Sequence, residues 1–143
     1  MLLSAGVDVG SRTTKAVILW DGEIKSTNRI PTGLESAKMR MTVLDGALAR
    51  LRSKREDLSY VVTTGYGRYI APSANKSISE IYCYAKGVNW LFPSLRKILD
   101  MGGQYCQGIR ANEKRKHSDF IMNDKWAAGT GIAKAGPSRT SSA

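Results

Sequence analysis

Apolar and polar residues are grouped in short runs at the start of the chain. Residues 3–9 and 15–20 are two apolar runs joined by a turn rich in Gly, Ser and Thr. Asp21-Gly22 is a further turn signal, and a third extended segment follows over 23–31. Short apolar runs bounded by such turns are typical of strands joined in hairpins. The pattern predicts a β-meander.

Two later segments have the period of an amphipathic helix. Apolar residues spaced three or four apart predict a helix over 34–53, and they lie at positions 34, 37, 41, 44, 48 and 51. A second helix is predicted over 77–92, where Ser77 and Glu80 have the spacing of a capping box. The aromatic residues expected in the core are Trp20, Tyr82, Trp90 and Phe92.

Short strands complete the pattern. Residues 60–64 (YVVTT) and 97–101 (KILDM) are apolar and are followed by glycines, and residues 106–110 can pair with the second of these strands. The predicted order is therefore β-β-β-α-β-α-β-β. A meander followed by strands that alternate with helices predicts an α/β fold, a mixed sheet with helices packed on it. This is the order of the ribonuclease-H-like half-domain found in actin-like ATPases and in several nucleases.

Length and composition are those of an ordinary globular domain. The chain has 143 residues, of which 42% are hydrophobic. No apolar run approaches the ~18 residues of a membrane span, and the opening MLLSAGVDVG lacks the basic segment of a signal peptide. Cys83 and Cys106 have no CxxC spacing, which favours a reducing compartment. These features predict a cytoplasmic protein with no membrane partner.

The net charge of the chain indicates which classes of partner it can bind. There are 22 Lys and Arg against 12 Asp and Glu, which gives a net charge of +10. Such an excess favours anionic partners: nucleotides, nucleic acid or acidic protein. The basic residues are dispersed, with short clusters at 50–55 and 114–117. A solvated basic surface is therefore favoured over nucleic-acid binding.

The stretch GVDVGSRTTK, residues 6–15, carries the most informative chemistry. An acid ends a strand, and a glycine turn, hydroxyls and a lysine on the returning strand follow it. In a tight hairpin Lys15 can place a charge on a polyphosphate, and Asp8 can orient Mg²⁺ through water. The groups that can face the phosphates are the backbone N–H groups from Gly10 to Thr13 and the hydroxyls of Ser11, Thr13 and Thr14.

A similar arrangement follows the strand predicted over 97–101. Asp100 lies at the end of that strand, and the residues after it are Met101, Gly102, Gly103 and Gln104. Two such hairpins that face each other can clamp the phosphates of a nucleotide and its metal between them. The two loops together predict binding of a nucleotide with Mg²⁺.

Five motifs in this order resemble those of one protein family. They lie between about residue 5 and residue 131, and they read GVDVGSRTTKAVIL, VTTGYGR, SEIYCYAKG, ILDMGGQ and DFIMNDKWAAGTG. On these motifs the chain resembles the BadF/BadG/BcrA/BcrD family. Its members are the ATPase activators of 2-hydroxyacyl-CoA dehydratases and the related subunits of benzoyl-CoA reductase.

The resemblance implies an actin/Hsp70-type fold that binds ATP or ADP with Mg²⁺ between two lobes, and a homodimer. It also implies one 4Fe–4S cluster at the subunit interface, ligated by cysteines of both subunits. ATP hydrolysis in the family lets this cluster pass a low-potential electron to the dehydratase or reductase partner.

The resemblance also assigns the two phosphate loops by position. The first loop consists of Asp8, Gly10, Ser11, Thr13, Thr14 and Lys15. The second consists of Asp100, Gly102, Gly103 and Gln104. Asp8 and Asp100 are the predicted catalytic acids, with Asp8 holding Mg²⁺ through water, and the other residues are predicted to bind the nucleotide.

The chain departs from the family near its end. Trp126 stands where the family has a cysteine that ligates iron, and an indole offers no thiolate. Residues 132–143 show no apolar period for the helix expected after Gly131, and we expect the second lobe to be missing. We therefore expect a truncated or degenerate activator with impaired ATP hydrolysis. Its ATPase lobe would span 1–131, followed by a disordered tail over 132–143.

Two other functions fit parts of the pattern. A nuclease of the Holliday-junction-resolvase type shares the half-domain, but it needs about three or four converging carboxylates. Asp8, Glu80 and Asp100 qualify, although capping of its helix is the favoured role for Glu80. A non-catalytic interaction fragment that keeps the fold is also compatible with the sequence.

Overall fold

The computed structural model describes residues 2–33, 36–70, 74–95, 97–101, 106–111 and 117–122. Several predictions fall on other parts of the chain. The site residues outside the described ranges are Gly102, Gly103, Gln104 and Trp126, and the tail predicted to be disordered, 132–143, is also outside them.

The first sheet contains the meander. Its strands are β1 (Leu3–Val9), β2 (Thr13–Trp20), β3 (Glu23–Pro31), β4 (Tyr60–Thr64) and β5 (Lys76–Ser77). They lie in the order β3-β2-β1-β4-β5. β1, β2 and β3 are antiparallel, whereas β4 is parallel to β1 and β5 is parallel to β4. The predicted mixed sheet is confirmed.

The core lies between this sheet and the first helix, α1 (Ser36–Ala49). Alternate residues of β1 are buried, as the two-residue period of a strand requires. The residues of β1 and α1 in this core are Leu3, Ala5, Val7, Val9, Val43, Leu44, Ala47 and Leu48. Each fully buried Val or Leu side chain stabilises the fold by roughly 1.5–3 kcal/mol. One strand face and one helix face thus bury each other.

The end of α1 differs from the prediction. The helix ends at Ala49 and not at residue 53. The N–H groups of Leu51 and Ser53 both donate to the carbonyl oxygen of Leu48, at 2.8 and 3.1 Å. Arg52 has a left-handed φ of 54°, which turns the chain out of the helix. The predicted beginning at residue 34 lies outside the described residues.

The second helix, α2 (Glu80–Leu91), begins later than predicted. Ser77 belongs to β5, and the N–H of Ile78 donates to the carbonyl oxygen of Thr63 at 2.9 Å. Ser79 is the N-cap, and its side chain makes no capping hydrogen bond. The predicted capping box of Ser77 and Glu80 is therefore wrong, because pairing with β4 holds Ser77 in a strand.

A second sheet consists of β6 (Lys97–Met101), β7 (Cys106–Ala111) and β8 (His117–Met122), all antiparallel in that order. The predicted pairing of the strand at 97–101 with the next segment is confirmed. α2 lies against this sheet. The sequence pattern did not predict β5 or β8. β5 has only two residues, and β8 mixes polar and apolar residues without a clear period.

The aromatic residues do not all lie in the core. Trp20 packs against it, as expected. Trp90 and Phe92 are each 56% exposed, so their predicted burial is wrong. The buried residues of α2 are Ala85 and Asn89, which leaves the large side chains at its end on another face. Among the helices of the described ranges, none has the length and apolar character to cross a membrane.

Candidate functional site

The candidate site begins at the turn between β1 and β2. The N–H of Gly10 donates to the carbonyl oxygen of Thr13 at 3.1 Å, which closes the hairpin. A Cβ atom at Gly10 would lie 2.8 Å from that same oxygen. Ser11 is exposed and Thr13 is half-buried. The turn is therefore tight at Gly10 and open at Ser11.

Thr14 lies beneath this turn and not on its surface. Its side chain is fully buried, and its hydroxyl lies 3.0 Å from that of Thr32. The Thr32 hydroxyl donates to the carbonyl oxygen of Gly10 at 2.7 Å. Thr14 must then be the donor to Thr32, since each hydroxyl has one hydrogen. Thr14, predicted to face the phosphates, instead supports the turn from below.

Asp8 and Lys15 face each other across the hairpin. They are register partners in β1 and β2, and Lys15 Nζ donates to Asp8 Oδ2 at 2.8 Å. The other carboxylate oxygen, Oδ1, is buried and has no hydrogen-bond partner within the described structure. A buried carboxylate oxygen without a donor is unfavourable. This donor set fits the predicted role of Asp8, which is to hold Mg²⁺ through water.

A second turn, TGYGR at the end of β4, is pressed against the end of β1. Gly65 has a left-handed φ of 92°, and an added Cβ would lie 2.4 Å from the carbonyl oxygen of Val9 and 2.5 Å from Asp8 Oδ1. The N–H of Gly67 donates to that same Val9 oxygen at 3.0 Å. This turn shapes the space around Asp8.

Arg68 is fixed beside this turn. Its guanidinium donates to the carbonyl oxygen of Gly65 at 3.1 Å and to the hydroxyl of Tyr69 at 2.6 Å, and it stacks over the Tyr69 ring. The sequence prediction assigned no role to Gly65 or Arg68. The glycine pair directly after a predicted strand in VTTGYGR was the signal that could have found them.

Glu80 connects the two predicted acids. Burial raises the pKa of its carboxyl, and the negative charges of Asp8 and Asp100 raise it further. Arg68 and Lys15 oppose this shift. Glu80 thus lies within electrostatic reach of Asp8 at the end of β1 and of Asp100 on β6, so the site draws on both sheets and α2.

Tyr84 and Cys83 follow Glu80 on α2. Burial raises the pKa of the Tyr84 hydroxyl, and a hydrogen bond with Asp100 acts in the same direction. Burial also raises the pKa of the Cys83 thiol, while a hydrogen bond with Thr64 lowers it. A neutral thiol is a poor ligand for iron. Cys83, with Trp126 at the family's cysteine position, does not fit an iron–sulfur cluster.

Glu80 is therefore within electrostatic reach of both predicted catalytic acids, Asp8 and Asp100. The sequence model of the BadF/BadG/BcrA/BcrD ATPase family matches residues 5–135. The chain belongs to this family. The activator of lactoyl-CoA dehydratase from Anaerotignum propionicum is 46% identical over 131 residues, which are 91% of this chain and 50% of that protein.

Two solved structures of the family have the same fold. The activator of 2-hydroxyisocaproyl-CoA dehydratase from Clostridium difficile, solved with bound ADPNP, is 39% identical with a TM-score of 0.83. That match covers 91% of this chain and 48% of the other. Component A of the (R)-2-hydroxyglutaryl-CoA dehydratase of Acidaminococcus fermentans is 34% identical with a TM-score of 0.85, over 92% of this chain and 51% of the other.

These matches confirm the predicted actin-type α/β fold. This chain spans about half the length of the relatives that it matches.

Proposed function

We propose that this chain binds Mg-ATP as the nucleotide-binding part of an activator of a 2-hydroxyacyl-CoA dehydratase or of a related benzoyl-CoA reductase. The observation that carries the proposal is the hairpin in which Lys15 pairs with Asp8, whose other carboxylate oxygen is buried without a donor in the described structure. The charges of Asp8 and Asp100 both act on Glu80 beside it. The relative from Anaerotignum propionicum is an activator of lactoyl-CoA dehydratase, and the structure from Clostridium difficile holds ADPNP.

The first hairpin would bind the phosphates. Backbone N–H groups between Gly10 and Thr13, together with the Ser11 hydroxyl, supply donors for phosphate oxygens, and Lys15 supplies a positive charge. Lys15 is paired with Asp8 across the strand pair, and its side chain is half-exposed. Because Lys15 is open to solvent, replacing its contact with Asp8 by a contact with a phosphate costs little free energy. A phosphate can therefore draw Lys15 away and leave the Asp8 carboxylate to a magnesium-bound water.

Glu80 would act on protons. A carboxyl group with a raised pKa is a better proton acceptor at neutral pH than an ordinary one. The charges of Asp8 and Asp100 both raise the pKa of Glu80, which supports a position near the predicted phosphate loops. Bound Mg²⁺ would supply charge neutralisation at the phosphates. We assign Glu80 the role of accepting a proton from the attacking water.

The remaining parts of the proposal rest on the family resemblance. The predicted partner is a dehydratase or reductase component, and the predicted assembly is a homodimer in a cytoplasmic compartment. Since Cys83 and Trp126 do not fit a 4Fe–4S cluster, we derive no electron-transfer step through the residues of this chain.

Calorimetric titration of the chain with Mg-ATP tests the proposal. Lys15→Ala is expected to weaken binding by about tenfold or more, which corresponds to about 1.4 kcal/mol. Lys25→Ala is the matched control, because Lys25 also pairs with a carboxylate on the first sheet, Glu23 at 2.6 Å, but lies outside the site. Equal affinity of the two variants would contradict the proposal. Mg²⁺-dependent cleavage of branched DNA would instead favour the nuclease alternative.

A further inference from the structure

The core-facing side of α1 includes one arginine. The buried positions of this helix have a helical period, and they are residues 40, 43, 44, 47 and 48. Four of these residues are apolar, whereas Arg40 carries a guanidinium and is only 5% exposed. Arginine is almost never fully buried unless it is paired.

The guanidinium of Arg40 lacks a partner for most of its donors. Nε and Nη1 are both buried, and neither has a hydrogen-bond acceptor in the described part of the protein. Nη2 donates to Met41 Sδ at 3.7 Å, and a thioether is a weak acceptor. Burial of a charged group without an ionic partner is strongly unfavourable. The guanidinium of Arg40 therefore lacks the anionic partner that would offset the cost of its burial.

The charge beside Arg40 has the same sign. Burial lowers the pKa of Arg40, and the positive charge of Arg55 lowers it further. Arg55 is itself neutralised, because its Nε and Nη2 donate to the two carboxylate oxygens of Asp45. Within residues 2–33, 36–70, 74–95 and 97–101, no ion pair satisfies Arg40.

Arg40 and Arg55 both line a cavity of about 290 Å³. The remainder of its wall is largely apolar and includes Val7, Met41, Leu44, Leu58 and Val61. Sites for small molecules typically measure about 300–1,000 Å³. The cavity is therefore small for a nucleotide. Its two arginines give it positive charge, and its aliphatic residues give it an apolar wall.

The cavity and the nucleotide site lie on opposite faces of the first sheet. Successive residues of a strand point to opposite faces. Val7 and Thr63 line the cavity, whereas the next residues, Asp8 and Thr64, belong to the candidate nucleotide site. A ligand in the cavity would thus contact the same two strands, β1 and β4, from behind.

We propose that this cavity is a binding site for a short-chain aliphatic carboxylate. The carboxylate would pair with the guanidinium of Arg40, since a guanidinium presents a planar fork that matches a carboxylate. The hydrocarbon part would pack on Leu44, Leu58 and Val61. The site is separate from the one that binds nucleotide, and it does not depend on the function proposed above.

Titration of the methyl-labelled chain with butyrate, followed by NMR, tests this site. Butyrate is expected to bind saturably and to shift the methyl signals of Leu44 and Leu58, while those of Leu2 and Ile24 stay in place. Arg40→Met is expected to weaken binding at least about tenfold. Arg29→Met is the matched control, because Arg29 is exposed on β3, and it should bind butyrate as the unaltered chain does.

Further titrations separate the possible outcomes. The neutral analogue 1-butanol should bind at least about tenfold more weakly than butyrate, and saturating Mg-ATP should leave butyrate binding unchanged. Sulfate that binds as tightly as butyrate would overturn the assignment to an aliphatic carboxylate. No methyl shift with butyrate, or its loss on adding Mg-ATP, would overturn the site itself. The methyl shifts are measured on the unaltered chain, so they test the site even if Arg40→Met does not fold.

Discussion

Asp8 is held by its neighbours on both adjacent strands. Lys15 donates to one carboxylate oxygen from β2, and Gly65, directly after β4, lies against the other. The position of the carboxylate therefore depends on two residues that are far apart in sequence. Of the two, Gly65 is the more demanding, because it combines a left-handed φ with a close backbone approach.

Gly65→Ala is expected to destabilise the protein more than Gly22→Ala. Both glycines have a left-handed φ, 92° and 86°, but a Cβ at residue 22 would meet nothing within 4 Å. Strain alone should cost about 1–2 kcal/mol at Gly22. The collision with Val9 and Asp8 should bring the cost at Gly65 to about 2–4 kcal/mol. Urea denaturation measures both variants, and equal losses would show that the close approach does not matter.

Glu80→Gln should become relatively more stable as the pH rises. The pKa of Glu80 is raised in the folded protein, so the folded state binds more protons than the unfolded state above the ordinary value of 4.5. Stability of the unaltered chain therefore falls with pH in that range, and the variant does not share this fall. The difference in free energy of unfolding between the variant and the unaltered chain, measured at pH 4 and pH 7, checks the sign.

Glu23→Gln is the control for this effect. A hydrogen bond from Lys25 lowers the pKa of Glu23, so its contribution to stability is present at neutral pH and is lost in acid. This variant should therefore lose stability relative to the unaltered chain as the pH rises. The same pH trend in both variants would contradict the raised pKa of Glu80.

At the scale of elements, the two helices have different supports. α1 packs on the meander through Val43, Leu44, Ala47 and Leu48. α2 has few buried residues and lies against the second sheet. The stability of the first sheet should therefore depend mainly on β1, β2 and α1.

Ile18→Val on β2 tests this dependence. Ile18 is fully buried, and removing one methyl group from such a position costs about 0.5–1.5 kcal/mol. Ile24→Val is the matched control, since Ile24 on β3 is 46% exposed, and its cost should stay within about 0.5 kcal/mol. Thermal unfolding of the two variants gives the comparison. If Ile24→Val loses as much free energy of unfolding as Ile18→Val, the core does not lie on the buried face of β2.

At the scale of the whole molecule, the family resemblance and the residues disagree about iron. The chain has two cysteines, and residue 126 is a tryptophan where the resemblance implies a cysteine ligand. Burial of the Cys83 side chain raises the pKa of its thiol. The residues of this chain therefore do not support the iron–sulfur cluster that the resemblance implies.

Anaerobic reconstitution of the 143-residue chain with iron and sulfide is expected to leave no stable 4Fe–4S cluster. Clusters of this type are held by thiolates, and residue 126 offers none. The measurements are the iron content and the visible absorbance after desalting. Near-stoichiometric iron with a cluster band would contradict the expectation, and Cys83→Ser would then show whether Cys83 is a ligand.

The first phosphate loop could be read from the sequence because its chemistry is local. Asp8, Gly10, Ser11 and Lys15 lie within one hairpin, so their spacing already brings them together. Gly65 and Arg68 had no predicted role, because Gly65 reaches Asp8 only through the pairing of β4 with β1, and Arg68 in turn donates to Gly65. The capping box failed for a similar reason, since pairing with β4 holds Ser77 in a strand.

The sequence by itself determined the order of the main elements, the meander, the mixed sheet and the family. Periodicity and turn residues act over a few neighbouring positions, and they are written directly into the chain. Only the tertiary structure decided that Trp90 is exposed, that Arg40 is buried beside a cavity, and that Glu80 is within electrostatic reach of both Asp8 and Asp100. These outcomes depend on which faces meet when distant segments pack, and no local pattern specifies that choice.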